Sequence, residues 1–301
     1  MKYYKQIIEI MSQNKIDYFL NEPLNNYTSV KIGGKAKIFA EISSKKQFVI
    51  LLDFLTQTKT KYYILGNGTN TLACDDNIDA VVICTKKFNQ YYVSKGGIYV
   101  NAGLGLFKLN KVLCVLQQTG LEFSYGIPGT IGGAVAINAG AYDGTVGNFV
   151  DYVVAYVNGR VEKISGKKMQ FGYRTSLAQK TKMVILGVKL KLKQGNAQQI
   201  KQLQNYYFDK RLASQPYDSL SFGSAFKKDA NHQPVSKLVD MLGLKGYQIG
   251  GAQISKKHAG FIINVGFATC KDFVLLIKYI QKKVFESFGF VPEPEVKLLG
   301  V

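Results

Sequence analysis

Three short stretches of this chain carry side chains that could do chemistry. In Phe171-Gly172-Tyr173-Arg174-Thr175-Ser176 an arginine stands beside an aromatic ring. A guanidinium so placed can grip a carboxylate through two parallel hydrogen bonds and polarise it. In Ser221-Phe222-Gly223-Ser224-Ala225-Phe226-Lys227 two small residues leave the Ser224 hydroxyl little steric cover. No Gly-x-Ser-x-Gly elbow surrounds it, and the chain has only two histidines, His232 and His258, so a hydrolase triad is a poor match. Giving up a proton is a task that a serine can perform with no histidine beside it. In Val291-Pro292-Glu293-Pro294-Glu295-Val296 the prolines hold the backbone extended and fix where two carboxylates point. Taken singly, each pattern also reads as something plainer: a surface arginine, an idle serine, a stiff arm with two solvated glutamates.

Two glycine-rich stretches bear on the choice. Gly126 to Tyr142 holds five glycines, one proline and no charged side chain. A surface loop would carry charge, and a helix interior loses ~1 kcal/mol for each glycine relative to alanine. Small residues between the glycines keep the surface low, as a bed for a large flat ligand would require; an ordinary glycine-rich turn system is the competing reading. The second stretch, Ile64-Leu65-Gly66-Asn67-Gly68-Thr69-Asn70-Thr71-Leu72, follows a short β-prone run. Its crowding of glycines and small polar residues suits a backbone nest for an anion. It is neither a Walker loop nor a complete dinucleotide fingerprint.

As a pair, Gly-Asn-Gly-Thr-Asn and Gly-Ile-Pro-Gly-Thr-Ile-Gly-Gly-Ala resemble the FAD-binding half of the UDP-N-acetylenolpyruvoylglucosamine reductase (MurB) family, within the flavoproteins of vanillyl-alcohol oxidase type. The resemblance runs from Asn25-Asn26-Tyr27-Thr28 to Pro292-Glu293-Pro294-Glu295 and is closest to the family's shorter form, without a tyrosine-bearing insertion. It implies an α+β protein: an FAD-binding fold of the vanillyl-alcohol oxidase/PCMH type in two lobes, plus a C-terminal α+β substrate domain. It implies FAD, bound without a covalent link, along Leu65, Gly66, Asn67, Gly68, Thr69 and Asn70. The second stretch would contribute Ile127, Pro128, Gly129, Thr130, Gly132, Gly133, Ala134, Asn138, Ala139 and Gly140. NADPH would be the hydride donor and UDP-N-acetylglucosamine-enolpyruvate the acceptor.

Residue by residue, the resemblance makes Arg174, Ser224 and Glu295 the catalytic arginine, proton-donating serine and glutamate. Hydride addition to an enolpyruvyl ether leaves a carbanion beside a carboxylate, and the resulting aci-carboxylate calls for positive charge and donors fixed where charge develops. Tyr173, Arg211, Lys227, Lys228 and His258 are the implied substrate contacts, with Arg211, Lys227 and Lys228 placed in sequence to meet the pyrophosphate. Two positions depart from the family pattern. Phe226-Lys227-Lys228-Asp229 stands where Phe-Lys/Arg-Asn/Arg-Pro is usual, and Asp143 stands where a glycine is usual.

Bulk composition narrows the rest. A chain of 301 residues with 47% hydrophobic and 20% charged residues can bury a sizeable core and is not of the disordered class. Its net charge of +19 admits nucleic acid, an anionic membrane surface or a polyanionic small substrate. The lysines are scattered, which favours solvated faces. Two other readings stand beside the reductase: another FAD-dependent oxidase or dehydrogenase of the same fold, and a non-enzymatic basic nucleic-acid-binding protein. Few histidines exclude a histidine-rich metal centre, and the four cysteines lie too far apart for a zinc or disulfide framework. With no signal-peptide core and no apolar run of membrane-spanning length, the expectation is a cytoplasmic protein that binds neither membrane nor nucleic acid and works as a monomer.

Three regions must position these residues. Residues 1–85 read as an N-terminal leader and first FAD-binding lobe, 86–195 as the second lobe, and 196–301 as a substrate domain whose C-terminal arm returns to the active site. Within them the spacing predicts a leading helix over 1–20 and a strand through 28–36 with a glycine bend. Helices follow over 46–56, 106–119 with Gly120 as its stop, 198–212, 234–242 and 269–288. Strands are expected at 62–65, 80–84, 98–103, 150–157, 183–192 and 259–264. The run Val188-Lys189-Leu190-Lys191-Leu192-Lys193 reads as half buried, with lysines on its outer face.

Overall fold

The computed structural model describes residues 1–94, 96–229 and 233–300, so His232 lies outside the described residues. Packing groups the chain into two units, each gathered from three separated segments. The first is Met1–Leu20, Ile38–Asn67 and Asp79–Asp209; the second is Asn21–Lys37, Gly68–Ile78 and Lys210–Val301.

A four-stranded sheet, most of it in the first unit, runs in the order Asp17–Pro23, Lys35–Glu41, Ile78–Cys84, Tyr62–Leu65, the last two strands pairing in parallel. The helix Lys45–Gln57 covers it. Its N-cap Ser44 accepts from the Gln47 amide, and Phe48, Leu51, Leu52 and Leu55 form one buried stripe against Ile38, Ala40, Val81 and Ile83. Each such side chain contributes about 1.5–3 kcal/mol when fully buried. A second, antiparallel sheet follows the order Arg160–Ser165, Val150–Val157, Val184–Leu190, Gly97–Asn101, Tyr91–Ser94. One face of it, through Ile98, Val100, Val153, Val188 and Leu190, packs on Leu106, Leu109 and Leu113 and on the helix Ile131–Ala136.

In the second unit an antiparallel sheet runs Leu220–Ser224, Phe261–Asn264, Ala252–Ile254, Gln248–Ile249. The helix Cys270–Phe288 lays Phe273, Ile277, Ile280 and Val284 into its core. Val30, Ile32 and Leu72 belong to that same core although they come from much earlier in the chain. The strand Thr71–Ala73 pairs in parallel with Lys297–Leu299.

Four local expectations are corrected. The leading helix spans only Tyr4–Gln13, because Lys15 turns through a left-handed φ of 53° and Asp17–Pro23 becomes a strand. Residues 28–32 are no strand: the Thr28 hydroxyl donates to the Ile32 carbonyl at 2.7 Å and accepts the Ile32 amide at 3.1 Å, closing a turn. The helix from Leu106 stops at Val115, with Gln117 at φ 54° supplying the reversal assigned to Gly120. Finally, Val184–Leu190 is buried on both faces and Lys189 is only 6% exposed. Its ammonium donates to the Ser94 hydroxyl at 2.5 Å. Tyr99 and Tyr152 are its register partners on either side, and their rings, 6.5 Å apart, lean together where solvent was expected.

Candidate active site

In the first unit Gly66 and Asn67 of one glycine-rich stretch meet Pro128 and Thr130 of the other. The Asn67 side chain donates to the Pro128 carbonyl at 2.7 Å, and a Cβ on Gly66 would lie 2.6 Å from the Thr130 hydroxyl. Thr130 caps the helix Ile131–Ala136 by accepting the Gly133 amide. A Cβ on Gly132 would strike Ala102 at 2.7 Å. These two glycines therefore serve close protein-to-protein packing, where a Cβ would collide with Thr130 or Ala102. Asn138 is buried, and its amide is used inside the protein: it accepts from Gly147 and donates to the Gly172 carbonyl at 2.9 Å.

That last bond holds the arginine turn. Gly172 and Thr175 exchange main-chain hydrogen bonds, leaving Tyr173 and Arg174 as a two-residue tip. Arg174 sits at φ 51°, a left-handed backbone that costs a non-glycine residue roughly 1–3 kcal/mol and marks sites where geometry matters more than stability. Gln179 donates to its carbonyl at 3.1 Å, and its guanidinium lies 5.4 Å from the Tyr173 ring centroid.

The second unit holds both other catalytic candidates. Register shifts between Ser221 and Ser224 where Leu220–Ser224 pairs with Phe261–Asn264, and Gly223 takes φ 88° there. The bulge re-aims the Ser224 side chain, whose hydroxyl donates to the Phe226 carbonyl at 3.1 Å. The proline-spaced arm lies alongside: Lys227 donates to the Glu293 carbonyl, Phe226 bridges to Pro294, and the Glu295 amide donates to the Ala225 carbonyl at 2.9 Å. Glu295 is thus hydrogen-bonded to the residue that follows Ser224, although about seventy positions separate the two in sequence.

Comparison with known proteins identifies the family. Residues 215–299 match the model described as UDP-N-acetylenolpyruvoylglucosamine reductase, C-terminal domain, and residues 36–162 match that of an FAD binding domain. A UDP-N-acetylenolpyruvoylglucosamine reductase of Caldanaerobacter subterraneus subsp. tengcongensis is 40% identical over 97% of this chain and 96% of its own length. The chain belongs to the MurB family. A MurB crystal structure from Thermus caldophilus superposes with TM-score 0.80 at 30% identity, covering 94% of this chain and 98% of that one. A Physcomitrella patens BBE-like protein, 16% identical with TM-score 0.50 over 62% of this chain and 44% of its own, shares the fold alone.

MurB enzymes use FAD and NADPH, and the loops fit an FAD. Among the described residues the main-chain amides of Asn67, Gly68, Thr69 and Asn70 donate to no protein acceptor, and no charged side chain stands in this stretch. Neutral donors on a side-chain-poor backbone suit a diphosphate. Of the implied substrate contacts, Tyr173 and Lys228 are exposed, and Arg211 donates to Gln215 at 2.8 Å. Lys227 is paired with Glu293 at 2.6 Å. His258 accepts the Gly260 amide at Nδ1, 3.0 Å, which leaves the ring proton of the neutral form on Nε2. Burial holds its pKa below the ordinary value.

Sequence reasoning missed Ser29. Its amide donates to the Gly68 carbonyl at 3.1 Å and its hydroxyl to the Ser221 carbonyl at 2.6 Å, tying the loop after Asn67 to the strand that carries Ser224. Only a small hydroxyl residue preceding Gly33-Gly34 signalled it.

Proposed function

We infer that this chain is a UDP-N-acetylmuramate dehydrogenase: it reduces the enolpyruvyl ether of UDP-N-acetylglucosamine-enolpyruvate at the expense of NADPH, a step of peptidoglycan precursor synthesis. Bound FAD supplies the hydride relay between the two substrates. The observation that carries the reading is the Glu295 amide bonded to Ala225, one residue from Ser224.

In this reading Arg174 grips the enolpyruvyl carboxylate and stabilises the negative charge that develops on it after hydride reaches the methylene carbon. Glu295, as a neutral acid, donates a hydrogen bond to the same carboxylate. Ser224 turns its hydroxyl from the Phe226 carbonyl to the α-carbon and gives up its proton there. An alkoxide is a poor end state at neutral pH, so water or a neighbouring group reprotonates Ser224. Leu65, Gly66, Asn67, Gly68 and Thr69, with Asn70 through its main chain alone, hold the cofactor together with Ile127, Pro128, Gly129, Thr130, Gly132, Gly133, Ala134, Asn138, Ala139 and Gly140; Arg211, Lys227, Lys228, Tyr173 and His258 hold the UDP-sugar. Lys227 must then be shared between Glu293 and the pyrophosphate. The functional division is a leader and first flavin lobe over 1–85, a second lobe over 86–195 and a substrate domain over 196–301. The chain acts in the cytoplasm as a monomer, with its positive charge directed to anionic small molecules rather than nucleic acid.

The purified protein should be yellow and release FAD on denaturation, and NADPH absorbance should fall only when the enolpyruvyl substrate is added. Colourless protein that takes up no FAD would sink the reading. So would NADPH consumption indifferent to the substrate.

A further inference from the structure

Asn70 closes the Gly-Asn-Gly-Thr-Asn loop, where the resemblance makes it a flavin contact. Its side chain is otherwise engaged. The Asn70 side-chain Nδ2 donates to the main-chain carbonyl of Glu295 at 3.2 Å, while the main-chain carbonyl of Asn70 accepts from the Lys297 amide at 3.1 Å. From there the strand Thr71–Ala73 runs in parallel register with Lys297–Leu299.

Both main-chain polar groups of Glu295 are therefore held from different segments, its N–H by Ala225 and its C=O by Asn70. Pro294, with φ fixed by its ring, precedes it and bridges to Phe226. These restraints set the direction of the Glu295 Cα–Cβ bond. Of the two hydrogen bonds to the Glu295 main chain, the one from Asn70 comes from a side chain, so it can be altered by substitution without touching the backbone. Glu295 is half-buried, so water can replace the lost donor and the fold survives the change.

We propose that Asn70 is a positioning residue for Glu295, making the flavin loop the brace that aims the carboxyl at the substrate. This rests on the role given to Glu295 above. A misplacement of about 1 Å in such a group costs on the order of 10²-fold in rate.

The test uses full-length, flavin-loaded enzyme in stopped flow, with flavin reduction by NADPH as the internal reference for reoxidation by the enolpyruvyl substrate. Asn70→Ala should retain FAD and slow reoxidation about 10- to 100-fold relative to reduction. Asn70→Asp keeps the volume but turns a carboxylate toward the Glu295 carbonyl, and should slow it at least as much. In a Glu295→Ala background, Asn70→Ala should add no further loss, because residues acting through one group are not additive. Loss of FAD from Asn70→Ala would make its side chain a flavin ligand instead. Losses that multiply in the double variant, or an Asn70→Asp enzyme equal to wild type, would also overturn the proposal. If Glu295→Ala alone leaves reoxidation unaltered, it is the role of Glu295 that fails, and Asn70 has nothing to aim.

Discussion

Ser224 owes its aim to a local irregularity. Gly223 at φ 88° absorbs the register shift, and a hydroxyl on an otherwise apolar strand end is turned to the Phe226 carbonyl. If that hydroxyl protonates the α-carbon, Ser224→Ala should leave flavin reduction by NADPH near wild type and slow reoxidation by the substrate ~10²–10⁴-fold. Ser224→Cys, which keeps a transferable proton, should recover part of the loss. Equal slowing of both half-reactions would make the serine structural. At the same scale, the departure at Asp143 has a physical explanation. Gly140–Ala141 and Gly144–Thr145 form a tiny hairpin whose two-residue loop, Tyr142 and Asp143, takes φ of 50° and 66°. Aspartate tolerates that left-handed geometry better than most residues, which lets it stand where glycine is usual.

The helix Cys270–Phe288 shows how far an element could be read. Its start is a capping box between Thr269 and Asp272, its end is Gly289 at φ 77°, and both were visible in the spacing of a few residues. A second cap was not visible: the Asp75 carboxylate accepts from the Cys270 and Lys271 amides at 2.8 and 3.2 Å, from nearly two hundred residues away. Amides of Thr269 and Gly251, bonded to the Asp272 carboxylate, hold its pKa below the ordinary 3.8. A depressed folded-state pKa adds stability above 3.8 that is lost as pH falls through the lower folded value. Urea unfolding across this range should show the stability advantage of wild type over Asp272→Asn shrinking as the medium is acidified below 3.8; a difference independent of pH would refute the assignment. Local signals of this kind gave the helices Lys45–Gln57 and Cys270–Phe288. They failed for Lys189, whose alternation with apolar neighbours looks like a wetted strand face until Tyr99 and Tyr152 are seen to cover it. The partners of Asn70, Ser29 and Asn138 likewise depend on segments distant in sequence, which no local pattern encodes.

At the scale of the molecule, the second unit does not coincide with any continuous piece of chain. Val30, Ile32 and Leu72 fill its core beside Phe222, Ile262 and Phe273. Removing them forfeits about 1.5–3 kcal/mol apiece, a large share of what holds a domain of this size. The fragment Lys210–Val301 expressed alone should therefore show no cooperative thermal transition and little near-ultraviolet circular dichroism. A sharp transition would mean that the C-terminal segment is self-sufficient.

The parallel pairing of Thr71–Ala73 with Lys297–Leu299 has a consequence in the time domain. Ribosomes add about 5–20 residues per second, so roughly 10–45 s separate the making of Thr71 from the making of Lys297. Through that interval the backbone of Thr71–Ala73 lacks its native strand partner, and Leu72 waits for a core that has not been synthesised. An open strand edge is a template for pairing with other chains. Nascent and newly released chains of this protein should thus depend on holding chaperones more than its final stability suggests, and slowing translation should lengthen the dangerous interval rather than relieve it.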